Sequence, residues 1–471
     1  MKSKTINIAV LLAALFSLVS CLDTNDGDYV YTDDSALTAF SVTSAKKAVH
    51  VRASNGADSV YYTTATLTAY KFVIDQQRCV IYNPDSLPYG VDPTKLLVSA
   101  NSLNSGSLVL KSMTSDSLSY LSTTDSLDFS KPRELQVYSL SGAAVRKYEV
   151  RVNVHQEPAD KFNWTKLPNA TPFASTVTGV KSFTVTTAAG VTRRFLLASD
   201  GNITTVFCAD GDEAWHAATP NFNHPLAADA YRSAVVKHDT LFVCEHGTVM
   251  ATTDGNQWAQ QCTGADVTRL IAANPVRLYA YNAQGAMLSS DDSGKTWKAA
   301  SIDESASLLP NGEIAYATLP LNTNANAFRT LLIGSVPEAS TTAFSIWGKI
   351  DEGDAYSENQ PWMFYDHNTL NRHELSLMQN FSAFTYDGKI MMVGNEDRIY
   401  LPYFYGSRDG GITWKADTVI TSPLGFFVTG PYTVSVDKDH FIWFVSGKTG
   451  ETWRGRINRL GWKKEQYEYY E

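Results

Sequence analysis

Three short polar segments carry the residue types that could bind or transform a polar ligand. They are residues 244–246, 372–374 and 395–403. Arginine offers forked donors to a carboxylate, and tyrosine offers an aromatic face to a sugar or a peptide. The candidate ligand-binding residues in these segments are Tyr400, Tyr403, Arg398, Arg372, His373, Glu374 and His246.

The carboxylates of the same segments are candidates for acid–base chemistry. A glycosidase needs two carboxyl groups roughly 5 to 10 Å apart, and Glu245, Glu374, Glu396 and Asp397 are available by location. The sequence contains no HExxH, P-loop or GxSxG motif and no GxGxxG after a strand, so we expect no metal and no cofactor. Three hypotheses stay open: a non-catalytic binding module for a glycan or a protein, a glycoside hydrolase, and a surface scaffold.

Four copies of one short pattern indicate the architecture that positions these segments. Residues 407–414 and 290–297 read S-x-D-x-G-x-T-W, and residues 208–215 and 252–258 are weaker copies. The aspartate is expected to accept hydrogen bonds within its own turn, and the tryptophan to pack between strands. The residues assigned to these structural roles are Asp210, Trp215, Asp254, Trp258, Asp291, Trp297, Asp409 and Trp414.

This pattern resembles the Asp box, the hairpin signature of sialidase-type β-propellers. The resemblance implies that the boxes lie away from a central pocket. It also implies an F/Y-R-I-P arginine motif if the protein were a sialidase, and no such motif is present. Residues 231–234 (YRSA) and 328–331 (FRTL) share only its first two letters.

The spacing of tryptophans predicts repeated four-stranded units. Trp215, Trp258, Trp297, Trp362, Trp414 and Trp462 follow one another at intervals of 39 to 65 residues. Periods of about 40 to 50 residues are typical of propeller blades. We predict six blades, with seven as the alternative, at roughly 170–218, 225–262, 266–301, 312–366, 380–418 and 430–466.

Two segments of the repeat region need separate interpretations. Residues 162–167 look like a fourth strand with no blade before it, and we expect them to close the ring beside residues 461–466. Residues 446–453 repeat the box pattern with Lys448 in place of the aspartate. They are either a degenerate box or a loop between a second and a third strand.

The pattern of residues 35–157 predicts a separate antiparallel β-domain, an immunoglobulin-like sandwich. Together with the propeller, it leads us to expect an all-β protein. Residues 148–154 alternate apolar and polar, as a strand with one buried face does. A Ser141-Gly142 turn would pair them with residues 135–140. Residues 158–471 then form the propeller.

The first residues indicate a membrane-anchored lipoprotein. Lys2 and Lys4 precede an apolar run too short to span a bilayer, and residues 18–21 (LVSC) resemble a bacterial lipobox. Residues 1–20 are therefore the predicted signal peptide, Cys21 the lipidated residue and residues 21–34 a flexible tether. The acyl chains would be the membrane partner, and the protein an outer-membrane lipoprotein facing the periplasm or the cell surface.

Composition excludes some partners and limits disulfide formation. Loss of Lys2 and Lys4 would take the formal net charge from −9 to −11, which disfavours nucleic acid as a partner. The remaining cysteines are Cys79, Cys208, Cys244 and Cys262, and none lies in a CxxC pair. They are either small core hydrophobes or include a Cys244–Cys262 disulfide.

Three further segments resemble a lipoprotein family of Gram-negative gut anaerobes that carries a domain-of-unknown-function label. They are residues 70–75 with 83–88, residues 152–156 and residues 452–461. The resemblance extends over nearly all of the chain that follows Cys21. It implies an architecture and no chemistry.

Overall fold

The computed structural model describes residues 31–52, 58–167, 176–262, 266–336, 343–353, 360–366, 373–396, 402–426 and 430–462. These residues divide into two compact units, which we call unit 1 (within residues 31–158) and unit 2 (residues 159–462). The predicted signal peptide and Cys21 lie outside the described residues. No helix among the described residues is long and apolar enough to cross a bilayer.

Unit 1 packs two sheets around one apolar core that includes Leu37, Phe129 and Tyr148. The strand orders are β2-β1-β5 and β3-β4-β9-β8-β6-β7, with one short 3-10 turn at Leu103–Ser105. Its strands are β1 (Leu37–Arg52), β2 (Asp58–Thr66), β3 (Val73–Asp75), β4 (Val80–Tyr82), β5 (Val91–Ser102), β6 (Ser107–Lys111), β7 (Leu118–Tyr120), β8 (Arg133–Tyr138) and β9 (Val145–Arg151).

The predicted hairpin of unit 1 is confirmed, whereas the expectation of a wholly antiparallel domain is wrong. Strands β8 and β9 pair with Leu135 opposite Tyr148. Strands β4 and β9 run parallel, with Ile81 opposite Val150. Strand β8 covers one edge of β9, so β4 pairs with the other edge and places Ile81 in the core. The two can run parallel because residues 83–144 between them form the long crossover that parallel pairing requires.

The described residues of unit 2 form six antiparallel sheets. Its strands are β10 (Phe162–Lys166), β11 (Gly179–Thr186), β12 (Thr192–Ser199), β13 (Ile203–Asp210), β14 (His216–Ala217), β15 (Leu226–Ala227), β16 (Ala234–Lys237), β17 (Thr240–Glu245), β18 (Thr248–Thr252), β19 (Ala259–Cys262), β20 (Arg269–Ala273), β21 (Leu278–Tyr281), β22 (Met287–Ser290), β23 (Lys298–Ala299), β24 (Ile314–Leu321), β25 (Asn324–Gly334), β26 (Ser345–Glu352), β27 (Met363–Phe364), β28 (Gln379–Tyr386), β29 (Lys389–Asn395), β30 (Tyr403–Ser407), β31 (Lys415–Ala416), β32 (Tyr432–Val436), β33 (Ile442–Ser446) and β34 (Thr452–Ile457). Short 3-10 turns span Ala230–Ser233 and Ala306–Leu308, and helix α1 spans Asn458–Gly461.

The sheets of unit 2 are arranged as a closed ring around one axis. Their first strands, β11, β16, β20, β24, β28 and β32, each contact the next, and β32 contacts β11 again. Five sheets place their four main strands in chain order from this inner ring outward. Tight turns join first strands to second strands. In one of them, Asp387 and Gly388 have φ values of +52° and +68°, the combination that a two-residue hairpin requires.

The sixth sheet closes the ring with a strand from the beginning of unit 2. Its order is β10-β34-β33-β32, and Phe162 lies opposite Ile457. Residues 162–166 thus supply a fourth strand, as expected, and their partner in this sheet is β34. Residues 463–466 of the segment expected beside them lie outside the described residues. Residues 447–451 join β33 to β34, so the segment with Lys448 is the loop of the second interpretation.

Three of the four copies of the repeated pattern form the same turn between a third and a fourth strand. In residues 407–414, the Asp409 carboxylate accepts from the backbone N–H groups of Ile412 (3.2 Å) and Thr413 (3.0 Å) and from both hydroxyl side chains of the motif. Gly411 has a φ of +100°, which favours glycine. The Trp414 indole donates to the Gly411 carbonyl at 3.0 Å. Asp254 and Trp258 make the equivalent turn in the second sheet.

Two assignments within these motifs need correction. In residues 290–297 the turn is held by Asp292, which accepts from Thr296 N–H at 2.9 Å, and not by Asp291, which forms an exposed ion pair with Lys298. The reason is register, because Asp292 stands two residues after Ser290 as Asp409 does after Ser407. Asp210 caps no turn with its carboxylate, because both oxygens accept from Arg193 at 2.7 Å. The indole of Trp215 donates to Thr452.

Candidate functional site

The inner ring of unit 2 encloses a cavity of about 510 Å³. Its wall is formed by residues of all six first strands and by the segments that lead into them. The lining combines apolar residues of these strands, such as Ala317, Phe384 and Val434, with polar and charged side chains. None of the residues 208–215, 252–258, 290–297 or 407–414 lines this cavity, as the resemblance to Asp-box propellers implies.

One side of the cavity carries a group of positive charges. Lys181 is the third residue of β11, Arg269 is the first residue of β20, and Arg232 precedes β16. Burial, and then the charge of Arg269, lower the pKa of Lys181 to about 7. Burial also lowers the pKa of Arg269, and the neighbouring charge of Arg232 acts in the same direction. These cations therefore repel one another in a region that is poor in water.

Two tyrosines line the same side of the cavity. The Lys181 ammonium lies 5.9 Å from the centre of the Tyr316 ring and 5.6 Å from that of Phe183. The Tyr316 hydroxyl accepts from the backbone N–H of Val236 at 3.0 Å, so this side chain bridges β24 and β16. Burial raises its pKa to about 12. Tyr231 packs against Gly179, and its hydroxyl accepts from Arg232 at 3.1 Å.

Other polar groups of the wall interact with neighbouring residues of the same chain. Ser182 donates its backbone N–H to Thr433 at 2.9 Å, which ties β11 to β32. Lys237, near the other end of the first strands, donates to the Val276 carbonyl at 2.9 Å. Glu313 is the one carboxylate among the lining residues that the structure describes. The hydrogen bond to Tyr231 is the main cause that raises the pKa of Arg232, and the charge of Glu313 adds to it.

The candidate residues expected from the sequence lie elsewhere. Arg372, Arg398 and Tyr400 are outside the described residues. Tyr403, His373, Glu374 and His246 are exposed, and none of them lines the cavity.

Local contacts explain the positions of three of the four described candidates. The His373 carbonyl accepts from the Trp414 N–H at 2.8 Å, so His373 supports a box turn. His246 lies 3.5 Å from Glu245, whose buried carboxylate accepts from the Ala227 N–H at 2.9 Å. Tyr403 begins β30 and is paired with Gly394.

Sequence reasoning missed the cavity residues because strands, and not loops, supply them. Lys181 and Arg269 are basic residues in otherwise uncharged inner strands, GVKSFTVT and RLIAA. A lone basic residue in a strand buried among other sheets is unusual and is the signal that could have identified them. In the sequence, Tyr231 and Arg232 stand out only as a partial match to a sialidase motif.

Cysteines and metal-binding groups add no second site among the described residues. Cys79, Cys208, Cys244 and Cys262 are all free thiols, and burial raises the pKa of Cys208 to about 12 and that of Cys244 to about 11. In the part of the chain that the structure describes, no three His, Cys, Asp or Glu side chains are placed to hold a metal ion.

Comparison with known proteins identifies the architecture. Residues 158–465 match the family model described as "DUF6242 beta propeller domain", and residues 40–152 match the DUF6242 N-terminal domain. No curated protein matches the sequence. The family model, which covers more than half of the chain, shows that the second part is a β-propeller.

Solved structures with a similar arrangement are distant. A fucose-recognising lectin of Aleuria aurantia is 11% identical, covers 61% of this chain and 93% of its own, and has a TM-score of 0.38. YCF48 from Cyanidioschyzon merolae is 14% identical, with coverages of 62% and 98% and a TM-score of 0.31. The GH93 α-L-arabinofuranosidase of Fusarium graminearum is 11% identical, with coverages of 63% and 98% and a TM-score of 0.35. Likenesses this weak say nothing about a ligand.

Proposed function

Because this chain belongs to the DUF6242 family, whose second module is a β-propeller, we propose that it is a binding protein that holds a glycan at the propeller axis without transforming it. The observation that carries the proposal is the axial cavity of about 510 Å³. Cavities of roughly 300 to 1,000 Å³ suit small ligands, whereas a protein partner needs a broad surface. The tyrosine rings and cations of the wall offer the stacking faces and donors that sugars use.

The wall supports binding better than hydrolysis. Acid–base cleavage of a glycosidic bond needs two carboxyl groups roughly 5 to 10 Å apart, and the described lining contains only Glu313. Of the other carboxylates that the sequence suggested, Glu374 is exposed away from the cavity and Glu245 is buried in β17. A glycoside hydrolase is therefore the less favoured function.

The finer architecture belongs to the same proposal. Six sheets in a closed ring correspond to six blades, and the three equivalent turns correspond to Asp boxes. Unit 1 would be the immunoglobulin-like spacer. Residues 1–20 would be the signal peptide, and a lipid on Cys21 would anchor the protein in the outer membrane, with residues 21–34 as the tether.

A glycan array on the soluble body, lacking residues 1–21, tests the binding role. We expect binding to one glycan class, strongly weakened by Tyr231→Ala in the cavity and unchanged by Tyr403→Ala outside it. Melting temperatures of both variants establish that they are folded. Binding to no glycan, or binding that depends on Tyr403 and not on Tyr231, would refute the axial site.

Turnover assays test the non-catalytic part separately. Incubation of the same protein with arylglycosides should release no aglycone. Release that a Glu313→Gln substitution abolishes would make the protein a hydrolase with its site in this cavity.

A further inference from the structure

We propose that the ligand of the axial cavity is an anionic sugar, with a carboxylate held between Lys181 and Arg269. This inference rests on the proposed function and specifies the ligand class. It starts from an imbalance: the cavity wall carries more positive charge than the described residues around it compensate.

Lys181 is the first source of this imbalance. Among the described residues its ammonium group forms no ion pair and no hydrogen bond, and it lies near the rings of Phe183 and Tyr316. An ammonium group loses hydration in such a place and gains only weak attraction from the rings. A carboxylate in the cavity would supply the missing partner.

Arg269 is the second source. One terminal nitrogen donates to the backbone carbonyls of Asn311 (3.3 Å) and Gly312 (2.9 Å), which fixes the guanidinium in place. Its other terminal nitrogen makes no hydrogen bond among the described residues, and no described carboxylate forms an ion pair with the guanidinium. A fixed guanidinium with a terminal nitrogen left for a ligand of the cavity is suited to a carboxylate.

The other charged groups near the cavity do not remove the imbalance. Arg232 is compensated, because Tyr231 accepts its hydrogen bond and the charges of Glu313 and Asp229 favour its cationic form. Lys237 and His238 also line the cavity and add no negative charge. Burial raises the pKa of Tyr316 to about 12 and also raises that of Tyr432, so these two hydroxyls add no negative charge at pH 7. An anion is therefore the ligand that this wall would attract most, although the whole chain carries a net charge of −9.

Aromatic rings beside the cations indicate a sugar acid rather than a simple anion. The carboxylate would interact with Lys181 and Arg269, while the ring of the sugar would contact Tyr316. We expect a single-residue uronate to bind better than either the neutral sugar or an isolated carboxylate.

Calorimetry with three probes separates this inference from the proposed function. The soluble body is titrated at pH 6 with D-glucuronate, D-glucose and acetate. We expect D-glucuronate to bind at least about tenfold more tightly than the other two, which for one lost ion pair corresponds to about 1.4 kcal/mol. Equal binding of glucose and glucuronate would overturn the inference and leave glycan binding intact. If acetate bound as tightly as glucuronate, the cavity would be a site for simple carboxylates, and the proposal of a sugar acid would be refuted. No binding of any probe would overturn the inference.

Variants localise the site. Lys181→Gln and Arg269→Gln should each weaken glucuronate binding at least about tenfold. Lys415→Gln, which removes the same charge from the exposed outer strand β31, should leave it unchanged. Equal loss in Lys415→Gln would mean that overall charge, and not this site, attracts the probe.

The pH dependence gives an independent readout. The carboxylate of glucuronate stays ionised from pH 6 to pH 9, while Lys181 loses its proton as the pH rises through about 7. Wild-type affinity should therefore fall by about 10- to 100-fold over this range. His238→Gln, which removes the one histidine among the described lining residues, should keep this profile, and Lys181→Gln should abolish it. A flat wild-type profile would contradict the role of Lys181.

Discussion

Single residues of unit 2 show which interactions serve the fold and which do not. Asp409 satisfies backbone N–H groups that would otherwise be unpaired in a tight turn, so its carboxylate is structural. Lys181 is half-buried, its ammonium has no such partner among the described residues, and burial lowers its pKa. A group at a cavity whose pKa is shifted by burial is a functional-site candidate.

Replacement of Lys181 by Met should stabilise the protein, most strongly at low pH. Because the pKa of Lys181 falls from 10.5 to about 7 on folding, the unfolded state binds more protons between these values. Wild-type stability therefore rises with pH through this window, and the advantage of Lys181→Met should shrink between pH 7 and pH 10. Melting temperatures across this range check the trend, with Lys415→Met as the surface control. A lower melting temperature for Lys181→Met at pH 6 would contradict it.

The two adjacent aspartates of the third sheet form a matched pair. Asp292→Ala removes the acceptor of the turn and should lower the free energy of unfolding by about 1 to 3 kcal/mol. Asp291→Ala removes only an exposed ion pair and should change it by less than about 1 kcal/mol. Denaturant unfolding distinguishes the two variants. Equal losses would mean that the register assigned to this motif is wrong.

The limits of sequence reasoning also follow from single residues. The turn at Asp409 could be predicted because all of its partners lie within six residues, so local spacing determines the contacts. Lys181 and Arg269 stand 88 positions apart in the sequence and become neighbours only through the ring. The candidates in loops were chosen by residue type, and type alone did not indicate which side chains face the axis.

At the scale of elements, β10 is the strand on which ring closure depends. Its half-buried Trp164 donates to the Thr421 carbonyl at 2.7 Å and packs against Phe162 and Phe444. The sequence revealed this strand because Trp164 had no preceding blade. It did not reveal the partner, because β34 is not followed by the turn that three of the other sheets carry.

Trp164→Ala should therefore destabilise unit 2 as a whole. Loss of the ring contacts and the hydrogen bond should lower the free energy of unfolding by roughly 2 to 4 kcal/mol. Lys166→Ala, on the same strand, loses an exposed ion pair with Glu451 and should cost less than about 1 kcal/mol. Thermal unfolding followed by tryptophan fluorescence measures both. A loss in Lys166→Ala as large as that in Trp164→Ala would assign the effect to the strand edge and not to the buried ring.

At the scale of the whole molecule, the proposed lipid anchor predicts where the protein is found. Cys21→Ala removes the only proposed site of acylation, and the body contains no spanning helix among its described residues. We expect the variant to move from the membrane fraction to the soluble fraction while its melting temperature stays unchanged. Fractionation and intact mass check this. A variant that remains in the membrane fraction would refute the anchor.

The closure of unit 2 also affects its synthesis. Asn163 and Asn458 are partners separated by 295 residues in sequence, so the first strand of this unit to leave the ribosome is the last to find its neighbour. Until β34 is made, β10 and the growing row of sheets have open edges that can pair with other chains. Contacts this distant are slow to form. We therefore expect chaperones that bind the incomplete ring to affect the yield of folded protein more than the stability of any single sheet does.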